Sequence, residues 1–313
     1  LKRLALRLLL LLASYQAYAA DYALLIGVSD YPNLPRRLWL RAPGNDVALM
    51  RELLVERGFS PDNIRQLVSR VGGDKEPTRR NIMEAMGGLQ AQVQRGDRIV
   101  FYLAGHGSQQ PQPADRGKRP AEPDGLDEVF LPADVHRWDG AGSAAAIPNA
   151  LLDDEIGEWI DAIVDRGATV WAIFDTCHAA GMARGPAGSV ARAGRERAVS
   201  PADLGLPTKA PRVEAATTGL AAAGSATGRT DGRMLAFAGR THESTVEEWM
   251  PAGARLGQNR LHGIFTYHLV QAFRLADAST LEGLEREVLQ AYAREKRAAP
   301  TPLFFGDRTL SLR

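Results

Sequence analysis

Short apolar runs alternate along this chain with stretches in which apolar positions recur every three or four residues. Ala23 to Val28, Ile64 to Val68, Arg98 to Leu103 and Thr169 to Phe174 are rich in β-branched and large aliphatic residues and lead into turn residues, so each predicts a buried strand. Between them, Val47, Met50, Leu53 and Leu54 closing at Gly58, and Ile82, Met83, Ala85, Met86, Leu89 and Val93 following Thr78 and closing at Gly96, follow the 3.6 period of a helix. Ile156, Trp159, Ile160 and Ile163 behind Asp153 or Asp154 predict a third helix. Met234 to Ala238 predicts another strand, and Phe265 to Phe273 and Leu281 to Ala293 two more helices on the same sheet. Strands alternating with helices predict an α/β fold, with a mostly parallel central sheet and helices on both faces.

Two stretches break this rhythm. Residues 107 to 126 form a polar loop rich in Pro, Gly and Gln, and residues 179 to 232 are rich in Arg, Ala and Gly without a sustained period. A segment that long with no pattern reads as a flexible linker inside one domain spanning residues 20–313.

The first residues add a destination. A basic start, a short leucine core and the Ala17-x-Ala19 ending read as a secretory signal peptide over residues 1–19, so the mature protein is expected in the periplasm or outside the cell. No run is long enough to predict a membrane span. Loss of Lys2, Arg3 and Arg7 with that segment turns 38 basic residues into 35 against 37 acidic ones, a net charge of −2. With no basic face predicted, nucleic-acid binding is set aside. The composition, 45% apolar and 24% charged, is that of an ordinary globular protein.

Candidate chemistry sits at two strand ends. Cys177 is the only cysteine, so it has no internal disulfide partner, and it stands just past the run 169 to 174. A buried hydrophobe is the plain reading of a lone cysteine, but a free thiol in an exported protein is exposed to oxidation, which favours use. His106 follows the run 98 to 103 in a glycine-flanked turn. A neutral imidazole there would take the thiol proton, and the backbone amides of Gly107 and Cys177 would form an oxyanion hole. Alternation along a strand turns Asp175 and Cys177 to one side and His178 away, which makes His178 the weaker base.

Residue patterns then resemble a family. Ala-Gly-His-Gly-Ser-Gln (104 to 109) and Asp-Thr-Cys-His-Ala-Ala-Gly (175 to 181) resemble the Ser-Gly-His-Gly and Asp-Ser-Cys-His-Ser-Gly signatures of metacaspases. Gly44-Asn45-Asp46, residues 125 to 134, 237 to 244 and 262 to 267 extend the resemblance over about residues 22 to 275. It implies a caspase-like fold and a monomeric thiol protease, made as a zymogen, that cleaves protein or peptide substrates after Arg or Lys through a Cys177/His106 dyad. Asp46 and Asp175 fall on the family's pocket aspartates, where two carboxylates would hold a guanidinium. Read locally, Asp46 could instead cap the first helix, and Asp175 could orient His106 or satisfy a backbone amide.

The chemistry requires no cofactor, but the resemblance also implies activation by Ca²⁺, with Asp127, Asp153 and Asp154 at ligand positions. Read locally, Asp153 and Asp154 are first-turn helix acids. The arginines at 184, 192, 195, 197, 212 and 229 offer self-processing sites within the 179–232 segment. A catalytically silent peptide-binding module and another cysteine hydrolase on the same fold are the competing readings.

Overall fold

The computed structural model describes residues 19–112, 125–140, 145–177, 195–207, 231–240, 243–255, 257–275 and 280–311. Its central sheet is built from β1 (Asp21–Gly27), β2 (Ile64–Val68), β3 (Arg98–Ala104), β7 (Thr169–Asp175), β9 (Arg233–Phe237) and β12 (Leu303–Gly306). They lie in the order β12-β9-β7-β3-β1-β2. Every neighbouring pair is parallel except β12 with β9.

Alternation along the inner strands separates two cores. Leu24, Ile26, Ile99, Phe101, Leu103, Val170, Ala172 and Phe174 face one side, against α2 (Arg79–Gln92) and α3 (Asp153–Asp165). Ala23, Leu25, Val100, Tyr102, Ala104, Trp171 and Ile173 face the other, against α1 (Pro43–Glu56), α4 (Ile264–Phe273) and α5 (Leu281–Arg294). A parallel sheet buried on both faces explains why these strands read as continuous apolar runs. Phe174 stacks on Phe237 with ring centroids 5.0 Å apart, and Phe174→Ala would cost about 3–5 kcal/mol through the cavity it leaves.

The expected strands are present with ends shifted by two residues at most, and so are the expected helices, although α1 starts at Pro43, ahead of an Asn45 or Asp46 cap, and α2 ends at Gln92, short of Gly96; β12 is an addition. Where a loop was expected at 107 to 126, residues 107–111 form a strand, and residues 113–124 lie outside the described residues. β4 (Gly107–Pro111) pairs with β5 (Leu126–Phe130), which also pairs with β6 (Leu151–Leu152). Gly-Ser-Gln-Gln-Pro carries no apolar alternation, and its order comes from partners: Gln109 Nε2 donates to Glu128 Oε1 and Gln110 Oε1 accepts from the Ile147 amide. A third small sheet, β11-β10-β8, joins β8 (Arg195–Glu196), β10 (Val246–Met250) and β11 (Arg260–Gly263).

That sheet changes the picture of the 179–232 segment. Residues 195–207 lie on the body of the protein with Arg197, Val199 and Leu204 fully buried, rather than forming a loose linker throughout. Most of the remaining segment lies outside the described residues.

Candidate active site

β3 and β7 are neighbours with Ala104 opposite Asp175, so the residues just beyond their carboxyl ends are brought side by side. There His106 and Cys177 are both buried. Gly107 is needed between them, because an added Cβ would stand 1.7 Å from the Cys177 carbonyl oxygen. The His106 amide donates to the Tyr31 hydroxyl at 2.8 Å, and the imidazole lies tilted against the Tyr31 ring.

The tautomer of His106 follows from its neighbour. Nε2 is 2.5 Å from the Leu38 carbonyl oxygen, which can only accept, so Nε2 carries the proton. Nδ1 is then the lone-pair nitrogen, buried and without a hydrogen-bond partner among the described residues. Burial lowers the His106 pKa to about 4 and raises that of Cys177 to about 11. The resting pair near neutral pH is therefore an imidazole and a thiol. Thr245 receives the sulfur: its amide donates to Sγ at 2.7 Å, and its carbonyl and hydroxyl oxygens lie 3.5 Å from Sγ.

Beside the dyad is a pocket of three buried carboxylates, Asp46, Asp175 and Glu247, and it is filled by Arg197. The Arg197 guanidinium lies 2.5 Å from Asp46 Oδ2, 3.0 Å from Asp175 Oδ1 and 3.9 Å from Glu247 Oε1. It also donates to the Asp175 carbonyl at 2.9 Å. Burial raises the pKa of Asp175 and Glu247, and the Arg197 charge opposes that rise.

Each acid is anchored from behind. Asp46 Oδ1 is 2.9 Å from His262 Nδ1 and accepts from the Gly263 amide. Glu247 accepts from the Arg41 and Ala42 amides at the start of α1. The Tyr102 phenol, kept protonated by burial, donates to Thr266, whose hydroxyl donates to Asp175 Oδ2 at 2.5 Å. Gly263 makes room for this cluster, since a Cβ there would stand 2.1 Å from Asp175 Oδ2.

The backbone carrying Arg197 is held along the same cleft. β8 pairs antiparallel with β10, and the Arg197 amide donates to the Thr245 carbonyl at 2.9 Å. The Arg197 carbonyl accepts from the Gly107 amide at 3.1 Å, and the Val199 amide donates to the Gly107 carbonyl. Ala198 packs against Cys177. The peptide bond between Arg197 and Ala198 thus lies beside the thiol, with its carbonyl on an amide expected to form the oxyanion hole.

The family described as metacaspase, peptidase C14 domain, matches residues 22–186, over half of the chain. This chain belongs to the metacaspase family. It is 33% identical to Metacaspase-4 of Arabidopsis thaliana over 161 residues, covering 51% of this chain and 34% of the relative. It is 31% identical to Metacaspase-1 of Candida albicans over 157 residues, covering 50% and 32%. The chain thus spans about a third of the length of these metacaspases. A crystal structure of a Geobacter sulfurreducens protein has the same fold, with a TM-score of 0.56 at 19% identity, covering 93% of this chain and 98% of that one. The matched peptidase domain classes the chain with the cysteine peptidases, which are hydrolases.

In this metacaspase the structure brings together Cys177, His106, Gly107, Asp46 and Asp175, while His178 lies outside the described residues. Two local alternatives are corrected. Ala42 holds the N-cap position of α1, and Asp46 lies inside the helix with its carboxylate turned to His262, Gly263 and Arg197, so Asp46 is not a cap. The Asp175 carboxylate accepts from both the Thr266 backbone amide, at 3.2 Å, and the Thr266 hydroxyl, and it faces Arg197; no hydrogen bond joins it to His106 among the described residues. Asp127 is buried on β5, and Asp153 and Asp154 are first-turn residues of α3. Among the described residues no three His, Cys, Asp or Glu side chains gather as a metal site there or elsewhere.

Sequence reasoning missed Glu247, Thr245, Thr266 and the Leu38 carbonyl. Glu247 sits in Val-Glu-Glu-Trp-Met, which has no apolar alternation to mark one of its acids as buried. A backbone carbonyl such as that of Leu38 leaves no mark in a sequence at all.

Proposed function

We propose that this protein is an exported, monomeric cysteine endopeptidase that cleaves after Arg or Lys and is made as a zymogen occupied by its own Arg-rich segment. The observation that supports this reading is a single one: Arg197 fills a pocket of three acids while its carbonyl rests on the Gly107 amide, 3.1 Å away.

The residues gathered at the site supply the groups that this chemistry needs. His106 Nδ1 takes the Cys177 proton as Sγ attacks the carbonyl carbon after a bound Arg or Lys. The oxyanion takes the Gly107 amide hydrogen bond that the carbonyl already uses, and that bond strengthens as charge develops. The imidazolium keeps its Nε2–H on the Leu38 carbonyl and gives the Nδ1 proton to the leaving amine. Water then hydrolyses the thioester with His106 again as base, releasing a carboxylate and restoring the thiol. Thiol, imidazole and water supply every group, so no step is routed through a metal. Ca²⁺ enters this proposal only as an activator acting away from the dyad.

Fluorogenic peptides with Arg, Lys or Asp before the scissile bond, with Ca²⁺ or a chelator, test the reading. Wild type should release dye from the Arg and Lys peptides and Cys177→Ala from none. Absence of any Cys177-dependent release under either condition would remove the peptidase assignment.

A further inference from the structure

Deepening the peptidase reading and resting on it, we infer that Arg195–Val199 is the enzyme's own recognition template. The bond between Arg197 and Ala198 is the one cut in the chain itself, and the groove takes other proteins at Arg-Xaa-Arg followed by a small residue and then an aliphatic one.

Each position of the template has its own surroundings. Arg197 ends in the three-acid pocket, and its carbonyl accepts from the Gly107 amide next to Cys177. Two residues earlier on the same side of the strand, Arg195 Nη1 donates to the carbonyls of Trp39 and, at 3.4 Å, Arg37. Two carbonyl oxygens select a donor with several N–H groups and repel a carboxylate. Glu196, between them, is exposed and its side chain accepts from the Ser244 hydroxyl at 3.4 Å, so the groove asks little of that position. Ala198 is pressed against Cys177 and bridges to Gly107, where a larger side chain would meet the nucleophile. Val199 is fully buried in the larger core, with its amide on Gly107 and its carbonyl accepting from the Ser108 hydroxyl.

The Arg195 contacts also reach the chemistry. The carbonyls of residues 37 and 39 hold Arg195, and the carbonyl between them, that of Leu38, holds His106 Nε2. A basic residue at this position braces the turn that orients the base, so it should act on kcat as well as on KM. In the self-cut the Arg197 carbon bonds to Sγ, the C–N bond to Ala198 breaks, and the Cys177 proton passes through His106 to the Ala198 nitrogen. Water then replaces Sγ, leaving a carboxylate on Arg197 and a free amine on Ala198.

The experiment has two arms on the full chain. Purified wild type and Cys177→Ala are incubated, and fragment ends are read by mass spectrometry. Processed wild type is then given the octapeptide Ala-Gly-Arg-Glu-Arg-Ala-Val-Ser, matching residues 193 to 200, and versions carrying Arg195→Ala or Val199→Asp. A Cys177-dependent fragment beginning at Ala198 is expected, with kcat/KM falling about tenfold for the Arg195→Ala peptide, shared between kcat and KM, and at least as far for the Val199→Asp peptide. Cys177-dependent cleavage of Arg peptides with an intact Arg197–Ala198 bond, or equal rates on the three peptides, would overturn the template while leaving the peptidase standing. No cleavage of any Arg or Lys peptide would overturn both. The peptide arm needs no substitution in the protein, so a folding defect cannot imitate the result.

Discussion

Asp175 and Cys177 are two residues apart at one strand end, yet their surroundings are opposite. Asp175 belongs to a pocket in which three carboxylates are tied by backbone amides, His262 and Thr266 and face one guanidinium. Cys177 and His106 are uncharged, the thiol resting on Thr245 and Nε2 on the Leu38 carbonyl, with His106 Nδ1 lacking a hydrogen-bond partner among the described residues. In the proposed peptidase the pocket would satisfy its ligand in the ground state, and the dyad would hold the proton transfer in reserve. Binding energy would then be collected on one side of the strand end and used on the other.

The largest test of that division is Cys177→Ala, which should lower kcat on an Arg peptide by roughly 10⁴-fold or more while Arg peptides still bind. Loss of binding together with turnover would erase the distinction between pocket and dyad. Asp46→Asn comes next. Removing one charge from the guanidinium site should reduce kcat/KM for an Arg peptide about 100-fold, mainly through KM; a fall confined to kcat would move Asp46 from pocket to chemistry.

A pH profile separates the dry dyad from an opened one. His106 must be neutral to act as base, so activity is lost as pH falls through its pKa. For the self-cut, made while the segment buries the dyad, the acid limb should lie near pH 4, below which the rate drops about tenfold per unit. Peptide cleavage by the opened enzyme should show its limb nearer the ordinary imidazole value of about 6.5. Coincident limbs would mean that the segment does not control the burial of His106. Smallest of all, Thr266→Val should cost about fivefold in kcat/KM by removing one hydrogen bond behind Asp175, and no change would show that the strand end alone sets that carboxylate.

The strands that form the scaffold were legible because burial on both faces leaves an unbroken apolar run, as in Ile99 to Leu103. β4 was not, since Gly107 to Pro111 owes its place to β5 and to glutamine hydrogen bonds. His106 and Cys177 could be picked out because each follows such a run directly. Asp46 was recognised by resemblance, although its helix could equally have used it as a cap. Arg197 was one of six arginines in an aperiodic segment, with no local sign that set it apart.

From the sequence alone came the parallel layered scaffold, the strand ends that carry thiol and imidazole, and the pair Asp46 and Asp175. These rest on local periodicity and short motifs, which a few neighbouring residues encode. Only the tertiary structure decided that Glu247 completes the pocket, that the Leu38 carbonyl selects the His106 tautomer, and that Arg197 occupies the site. Those facts join residues far apart in the chain, such as Glu247 and Ala42, 205 positions apart, where packing of separate elements and not chain proximity creates the electrostatic environment.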